Sequence, residues 1–494
     1  MEKNQNVRLS ITDLSDEGLG IGKADGFTLF VKDAIPGDEI EAGITKVKKN
    51  YGFARVEKVI TPSPFRMEAP CAYHRSCGGC QIQTMDYAAQ LDFKRNKVRS
   101  DLIRIGGFDE KLVDEVMEPI VGMDDPYRYR NKAQFPFGTN NDNCVITGFY
   151  AGRTHHIIAN TDCLLGVEEN EEILRTILDF MKEFHITAYD EESGRGYLRH
   201  VLIRKGFASG QLMVCLVVNA EKLPKEEILA QRLSRIRGMT SVTLNVNTDR
   251  TNVILGRKVR LLLGERTIED VLKVYAVEGG ESIREVRFKI SPLSFYQVNP
   301  VQTEKLYSLA LQYAGLTGKE EVLDLYCGIG TISLFLAGNA GHVTGIEVVE
   351  DAVRDAEENA RLNHIENAHF LAGKAEELLP EMYKRGDLRA DVIVTDPPRK
   401  GCDEACLSTI LSLHPERIVY VSCNPSTLAR DLKTLCAGGY ELRRVRPVDQ
   451  FPHTVHVETV CLLSNRKPDS YVHLNLKMED YYRIKDAEKE QGKK

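Results

Sequence analysis

One cysteine occupies a position where a thiol could act as a nucleophile. Residues 417–421 have the apolar character of a buried strand, and Ser422-Cys423-Asn424-Pro425 then leads into a helix that we expect to begin near Leu428. A side chain at the carboxyl end of a parallel strand lies in the crevice where such sheets bind ligands. A thiolate there can add to an electrophilic carbon. Cys423 is therefore the predicted nucleophile, and Cys327 in a glycine turn is its main competitor.

A proton acceptor is predicted in the segment 451–460. Residues 451–460 are predicted to form a loop that enters an alternating strand, and Glu458 is an acid in its apolar part. Because burial of an unpaired charge is costly, desolvation should raise the pKa of this carboxyl into a range useful for proton transfer. His453 and His456 are the alternative bases.

Two acids and a glycine turn predict a cofactor site. Asp324 lies in a buried strand just before the glycine turn 327–331, and a second strand ends at Glu347. Glycines let the backbone approach a ligand closely, and an acid after the second strand can bind ribose hydroxyls. A nicotinamide dehydrogenase would show a similar pair. The position of Asp324 and the motif Asp396-Pro397-Pro398-Arg399 after the fourth strand favour a class I methyltransferase that uses S-adenosylmethionine.

Four cysteines form a separate pattern of three closely spaced thiols and one distant thiol. They are Cys71, Cys77, Cys80 and Cys163. Four thiolates suit a tetrahedral metal centre, which on chemistry alone could be zinc or a [4Fe–4S] cluster. His74 could replace one thiolate in a zinc site. Twelve cysteines in 494 residues are too few for a disulfide scaffold, so their spacing indicates metal binding or catalysis.

The elements that must position these residues divide into predicted domains. Short strands punctuated by Gly and Pro predict an OB-like β-barrel over 1–61. Residues 62–289 are predicted to form an irregular α+β central domain that holds the metal cluster, with about 90–124 packed on the catalytic domain. Alternating strands and amphipathic helices predict a doubly wound, Rossmann-like α/β domain over 290–466, followed by a charged tail, 467–494.

Composition limits the classes of function. A 42% hydrophobic and 28% charged composition is ordinary for a soluble globular protein, and no apolar run approaches the ~18 residues that a bilayer span needs. We therefore expect a cytoplasmic protein without a membrane partner, and a monomer. The net charge of −7 argues against a uniformly basic surface, but RNA contacts depend on local patches.

Cations and aromatic residues are clustered in three such patches. In the barrel, the mixture of lysines and aromatic rings between 46 and 55 suits stacked bases and phosphates, or is only a lysine-protected strand edge. The other two patches are expected to guide RNA. Their cations are Lys94, Arg95, Lys97, Arg99, Arg104, Arg128, Arg130 and Lys132.

The motifs together resemble the uracil-C5 RNA methyltransferases, specifically the iron–sulfur class that acts on 23S ribosomal RNA. The resemblance covers roughly residues 5–466. The matching segments are Ser294-Phe295-Tyr296-Gln297-Val298-Asn299, Asp324-Leu325-Tyr326-Cys327-Gly328, Asp396-Pro397-Pro398-Arg399-Lys400-Gly401, Ser422-Cys423-Asn424-Pro425 and His456-Val457-Glu458. The barrel is similar to a TRAM domain.

This resemblance implies roles for individual residues. Cys423 would add to C6 of a flipped uridine, which makes C5 nucleophilic enough to accept a methyl group, and Glu458 would remove the C5 proton. Phe295 would be available for stacking. The residues implied to line the S-adenosylmethionine and base pocket are Gln297, Tyr326, Glu347 and Asp396.

The resemblance also implies a [4Fe–4S] cluster on Cys71, Cys77, Cys80 and Cys163, with RNA as the substrate. Three alternatives remain open at this point. They are a tRNA uracil-C5 methyltransferase, a methyltransferase for a base nitrogen, and a non-catalytic RNA-binding protein such as a ribosome assembly factor.

Overall fold

The structure is a computed structural model that describes residues 1–152, 154–277 and 279–466. The predicted charged tail, 467–494, lies outside the described residues. Within the described ranges, no helix combines the length and the apolar character that a bilayer span requires.

The first unit is a closed five-stranded barrel with the strand order β1-β2-β3-β5-β4. Its strands are β1 (Asn6–Leu14), β2 (Gly20–Ala24), β3 (Phe27–Lys32), β4 (Glu39–Val47) and β5 (Tyr51–Thr61). Alternation along β1 places Leu9 and Ile11 inside, where they share a core with Leu29, Val31 and Ile40. One apolar face per strand is enough to fill a small barrel. The expected OB-like barrel is confirmed.

Two helices, α1 (Tyr87–Arg104) and α2 (Glu110–Val116), follow the segment with the closely spaced cysteines. Asp86 caps α1, since its side chain accepts a hydrogen bond from the amide of Ala89 at 2.8 Å. Val98 and Leu102 of α1 belong to the same hydrophobic core as the strands of the C-terminal α/β unit. Helix α1 thus supports that unit from far away in the sequence.

The central unit is a seven-stranded sheet with the order β12-β11-β10-β9-β6-β7-β8 and two helices. Its elements are β6 (Lys132–Thr139), β7 (Val145–Tyr150), β8 (Ile157–Ala159), α3 (Glu169–Glu183), β9 (Leu198–Lys205), β10 (Leu212–Val218), α4 (Glu226–Leu233), β11 (Met239–Val246) and β12 (Lys258–Gly264). Every residue of β10 is buried, because both of its faces are covered. Leu212, Val214 and Leu216 share a core with residues of α3 and α4, and Met213, on the other face, belongs to the core of the C-terminal unit.

The next two strands, β13 (Ile268–Tyr275) and β14 (Ser282–Ile290), pair with each other as an antiparallel ribbon. Leu272 and Phe288 of this ribbon share a core with Leu306 and Phe335 of the α/β unit. The ribbon therefore packs on the C-terminal unit rather than extending the central sheet.

The C-terminal unit is a seven-stranded sheet with the order β17-β16-β15-β18-β19-β21-β20. Its elements are α5 (Pro300–Ala314), β15 (Glu321–Leu325), α6 (Thr331–Ala337), β16 (His342–Glu347), α7 (Glu350–Leu362), β17 (Ala368–Ala372), α8 (Ala375–Arg385), β18 (Val392–Thr395), α9 (Glu404–Leu413), β19 (Arg417–Ser422), α10 (Pro425–Ala437), β20 (Tyr440–Val448) and β21 (Glu458–Asn465). Strands β15 to β19 are parallel, and β21 enters antiparallel between β19 and β20. The expected doubly wound domain is confirmed, and its chain order reverses between β15 and β18, where such sheets bind ligands.

Helix α10 begins at Pro425 and not near Leu428, so the predicted start is three residues late. Asn424 is its N-cap and accepts a hydrogen bond from the amide of Ser426 at 3.1 Å. Proline is favoured at the first helical position because the amide it lacks would have no partner there. Cys423 therefore lies directly between the last residue of β19 and the cap of α10.

Candidate active site

Strand register brings Cys423 and Glu458 to the same edge of the sheet. Ser422, the last residue of β19, pairs with Thr459 of the antiparallel strand β21. The residue that follows Ser422 is Cys423, and the residue that precedes Thr459 is Glu458. Because the two chains run in opposite directions, these two side chains emerge at the same level.

Three cofactor-site residues lie at or just after the ends of β15, β16 and β18, and the register of these strands aligns them. Leu325 of β15 pairs with Ile346 of β16 and with Thr395 of β18 in parallel register. Each paired residue is the last or next-to-last of its strand, so Tyr326, Glu347 and Asp396 stand side by side at the carboxyl edge. Asp396 follows the strand next to β19, which places it beside Cys423.

Glu458 and Asp396 lie close enough to Cys423 for their charges to act on its thiol. Burial, followed by the charges of Glu458 and Asp396, raises the pKa of the Cys423 thiol to about 11, while Arg399 lowers it. Glu458 is only 3% exposed, and burial followed by the charge of Asp396 raises its pKa well above the ordinary value. Burial raises the pKa of Asp396 to about 7. Burial and neighbouring like charges both disfavour the ionised forms of these groups, which makes each ionised form a stronger base than it would be in water.

The glycine turn carries the geometry of a ligand-binding loop. Gly328 and Gly330 have φ values of 56° and 81°, and the non-glycine residue Tyr326 has a φ of 65°. Glu347 reaches back to this turn and accepts a hydrogen bond from the amide of Gly328 at 3.1 Å. A left-handed conformation at a large residue is unfavourable and persists only where neighbouring structure enforces it. Tyr326 is therefore held by its surroundings in a backbone conformation that a tyrosine rarely adopts.

Asp324 is fully buried beneath this turn. Its Oδ2 accepts a hydrogen bond from the Ser333 hydroxyl at 2.5 Å, and its Oδ1 has no hydrogen-bond partner among the described residues. Burial, only partly offset by Ser333, raises the pKa of the carboxyl to about 7.

Gln297 and Phe295 approach the crevice from the segment before α5. Gln297 is buried, and its side chain lies close enough to the hydroxyl of Tyr307 to lower the pKa of that group, which burial raises. Phe295 is 65% exposed, so its ring is available to a ligand. The Tyr307 hydroxyl accepts a hydrogen bond from Thr331 at 3.4 Å. The charges of Asp396 and Glu458 are close enough to raise its pKa.

Sequence reasoning missed Tyr307. Its position on the apolar face of α5 gives it the pattern of an ordinary core tyrosine. Only the placement of α5 beside β18 and β19 reveals that its hydroxyl faces the crevice.

The two alternative bases occupy different places. His453 is buried, and burial followed by the charge of Lys94 lowers its pKa to about 4. Its Nδ1 contacts Nε2 of Gln90 at 3.2 Å, away from Cys423. His456 is exposed at the rim of the site.

The four spaced thiols line one cavity of about 270 Å³. They are Cys71, Cys77, Cys80 and Cys163. Burial, followed by the charges of the neighbouring thiols, raises the pKa of Cys80 to about 12. The amide of Gly79 donates a hydrogen bond to Sγ of Cys77 at 3.4 Å. As the side chains stand, no three His, Cys, Asp or Glu residues in the described part of the chain form a metal-ligand set.

Three aromatic rings cluster on the barrel surface. Phe30, Tyr51 and Phe53 have ring centroids 5.6 to 5.8 Å apart, and Tyr51 is 39% exposed. Phe30 belongs to β3, so the patch is wider than the run in β5 that the sequence indicated. Exposed rings beside lysines provide stacking faces for unpaired bases.

The expectation that Lys94 guides RNA is wrong. Its side chain is completely buried and forms an ion pair with Asp449, Nζ to Oδ1, at 2.5 Å. Three other expected cations form ion pairs with acids within the protein. Lys97 pairs with Asp16, Arg99 with Asp114 at 2.7 Å, and Arg128 with Asp162 at 2.6 Å.

Comparison with known families gives two matches. A model of the tRNA (uracil-5-)-methyltransferase family matches residues 86–466, and a TRAM domain model matches residues 2–56.

Similar proteins cover nearly the whole chain. A protein of Halalkalibacterium halodurans named as an uncharacterized RNA methyltransferase is 49% identical over 94% of this chain and 98% of its own length. A protein of Listeria innocua with the same description is 47% identical over the same shares. Among solved structures, the tRNA (uracil-54, C5)-methyltransferase of Pyrococcus abyssi in complex with S-adenosyl-L-homocysteine aligns with a TM-score of 0.72 at 27% identity. That alignment covers 92% of this chain and 100% of the Pyrococcus chain.

Proposed function

We propose that this chain, which belongs to the tRNA (uracil-5-)-methyltransferase family, methylates C5 of a uridine in RNA, with Cys423 as the nucleophile and Glu458 as the base. The four-cysteine pattern resembles that of the iron–sulfur class and favours 23S ribosomal RNA as the substrate. The observation that carries the proposal is the register of β19 and β21, which sets this thiol and this carboxyl side by side.

The proposed covalent steps account for both residues. Cys423 first loses its thiol proton to solvent. The resulting thiolate adds to C6 of the uracil ring, and the C5–C6 double-bond electrons move so that C5 becomes nucleophilic. Once C5 carries the methyl group, the carboxylate of Glu458 removes the hydrogen of C5 as a proton. The electron pair of that C–H bond re-forms the C5–C6 double bond and expels the Cys423 thiolate. The raised pKa of Glu458 makes its carboxylate a stronger base than an exposed one.

S-adenosylmethionine, when bound, supplies the methyl group. The residues fit such a cofactor: apart from Gly328 and its two chain neighbours, no heavy atom of the described residues lies within 4 Å of the position that a Cβ on Gly328 would take. The carboxylate of Glu347 beside this space suits ribose hydroxyls, and the free Oδ1 of Asp324 is a buried acceptor without a partner. Gln297, Tyr326 and Asp396 complete the proposed lining. The Pyrococcus abyssi enzyme, by its description, binds S-adenosyl-L-homocysteine.

RNA would dock on the barrel and the central unit. The exposed ring of Tyr51 and its neighbours Phe30 and Phe53 supply stacking, and Phe295 is placed to stack on the flipped base. We assign residues 1–61 to the TRAM domain, 62–289 to the central domain and 290–466 to the catalytic domain.

The four thiols would hold a [4Fe–4S] cluster. The donor chemistry suits such a cluster, since four cysteines line one cavity and the hydrogen bond from Gly79 to Cys77 is of the kind that stabilises sulfur ligands. Cys163 lies far from the other three in the chain, so a cluster there would tie two segments together. Its proposed role is structural. Iron and acid-labile sulfide in protein purified without oxygen would support the cluster, and stoichiometric zinc would overturn it.

The test uses trapping with 5-fluorouridine RNA, because fluorine at C5 cannot be removed as a proton and the adduct persists. Wild-type protein, S-adenosylmethionine and the RNA should give a band of slower migration on a denaturing gel. Cys423→Ala should remove both the band and all 5-methyluridine formation, and Cys327→Ala should retain the band.

Two outcomes would change the proposal. Retention of the band by Cys423→Ala, or its loss only in Cys327→Ala, would reject the nucleophile. Methylation of tRNA transcripts but not of 23S ribosomal RNA fragments would transfer the activity to the other RNA and leave the chemistry unchanged.

A further inference from the structure

The hairpin that carries Glu458 is held at the point where Glu458 emerges. Val448, the last residue of β20, pairs directly with Glu458 of β21. The next residue, Asp449, begins the loop that connects the two strands. A displacement of Asp449 therefore moves the backbone beside Glu458.

Side chains of helix α1, which lies more than 300 positions earlier in the chain, bind the carboxylate of Asp449. Nζ of Lys94 contacts Oδ1 of Asp449 at 2.5 Å and donates to the carbonyl of Phe451 at 2.9 Å. The hydroxyl of Tyr87 donates to Oδ2 of Asp449 at 2.8 Å. Lys94 and Asp449 are both completely buried, so their attraction is weakly screened.

The same helix holds the middle of the loop at His453. Gln90 accepts a hydrogen bond from the amide of His453 at 2.9 Å, and its own Nε2 contacts Nδ1 of that ring at 3.2 Å. The amides of Gln81 and Ile82, just after Cys80, both donate to the carbonyl of His453, at 3.1 and 3.2 Å. The loop is thus fixed by elements outside the α/β sheet.

Such a buried ion pair is costly to desolvate and is a poor way to gain stability alone. Its position suggests another use. We propose that Lys94, acting through Asp449, is a positioning residue that sets Glu458 for proton removal from C5. Within the described residues, the hydrogen bonds of the Lys94 ammonium go to Asp449 and Phe451 and not to Cys423 or the glycine turn, so it would act on the base and not on the nucleophile. This inference rests on the proposed function of Glu458.

The two halves of the reaction can be measured separately. Trapping of 5-fluorouridine RNA needs addition by Cys423 and methyl transfer, but no proton removal. Turnover of ordinary uridine RNA needs all steps. A residue that positions only Glu458 should slow turnover and leave trapping intact, whereas general structural damage should slow both.

The variants are Lys94→Met and Asp449→Asn in the full chain. Asp449→Asn keeps the size of the side chain and a hydrogen-bond acceptor for Tyr87, so it serves as the milder change if Lys94→Met does not fold. Lys111→Met, an exposed lysine on the neighbouring helix α2, is the matched control.

We expect single-turnover release of free 5-methyluridine RNA to fall about 10- to 100-fold, the size of effect that misplacement of a catalytic group by about 1 Å produces. Trapping should change less than about twofold, KM for RNA should stay constant, and a methylated adduct should accumulate on uridine RNA. The control should match wild type in every measurement.

An equal loss of trapping and turnover in the folded variant would show that Lys94 is only structural, and unchanged turnover would also reject the proposal. If wild-type protein itself forms no adduct with 5-fluorouridine RNA, the proposed function fails and not this inference alone.

Discussion

The main-chain carbonyl of Arg399 accepts a hydrogen bond from Nδ2 of Asn424 at 3.2 Å, and Asn424 is the residue next to Cys423. The same carbonyl accepts a second bond from the hydroxyl of Thr427 at 3.1 Å. These two bonds join the loop after β18 to the start of α10. They keep the guanidinium of Arg399 close enough to lower the pKa of Cys423.

Arg399→Gln should therefore raise the pKa of Cys423. In wild type, the rate of alkylation of Cys423 by iodoacetamide should rise about tenfold for each pH unit between pH 7 and 9. Throughout this range the pH is below the pKa of the thiol, about 11, so the thiolate fraction rises about tenfold per unit. The variant should react more slowly at each of these pH values. Peptide mass spectrometry follows Cys423 among the other cysteines. Lys400→Gln is the control, since that ammonium lies 3.7 Å from Glu376 and is directed to another acid; equal slowing in both variants would contradict a specific effect of Arg399.

Glu458→Gln should separate methyl transfer from product release. Loss of the base should reduce turnover of uridine RNA about 100- to 10,000-fold, the usual contribution of general base catalysis. Because addition and methyl transfer do not need this carboxyl, a methylated protein–RNA adduct should appear on denaturing gels without 5-fluorouridine. Glu441→Gln, an exchange at the far end of the same β20–β21 hairpin, should turn over normally. Rapid turnover by Glu458→Gln would assign proton removal to another group.

Asp324→Asn should stabilise the free protein at neutral and higher pH. Burial raises the pKa of Asp324 from an ordinary 3.8 to about 7, so the folded protein binds its proton more tightly than the unfolded chain does. The cost of ionising Asp324 in the folded protein therefore lowers the free energy of unfolding. This cost is absent below about pH 4, grows as the pH rises to about 7 and is then constant, with an upper bound of about 4 kcal/mol.

Asparagine keeps an acceptor for Ser333 and carries no charge. Chemical denaturation should therefore show a larger gain in the free energy of unfolding at pH 8 than at pH 5. A gain that is the same at both values would mean that Asp324 does not titrate in this range.

Tyr51→Ala should weaken RNA binding without affecting the catalytic unit. Loss of one stacking ring costs about 1 to 3 kcal/mol in binding free energy. Fluorescence anisotropy with a labelled RNA measures the change in Kd, and calorimetry with S-adenosylmethionine should show none. Tyr383→Ala removes an equally exposed ring from α8 and should bind RNA like wild type. Equal binding by both variants would place the RNA elsewhere.

The sequence alone determined the parts that short stretches of chain encode. A strand, a glycine turn and an acid after the next strand are local patterns, and so are the strand, cysteine and helix around Cys423. Alternation of apolar residues was enough to predict the barrel. These features depend on neighbours within a few residues, whose backbone preferences and burial can be read directly.

Only the tertiary structure decided which distant residues meet. That Cys423 faces Glu458 follows from the insertion of β21 between β19 and β20, and pairing between strands depends on the whole sheet. The hydroxyl of Tyr307 and the ammonium of Lys94 read as a core ring and a surface cation, because a sequence pattern gives the type of a side chain but not its partner. Lys94 is stable in the interior only because Asp449 arrives from the other end of the chain, and that meeting is a property of packing.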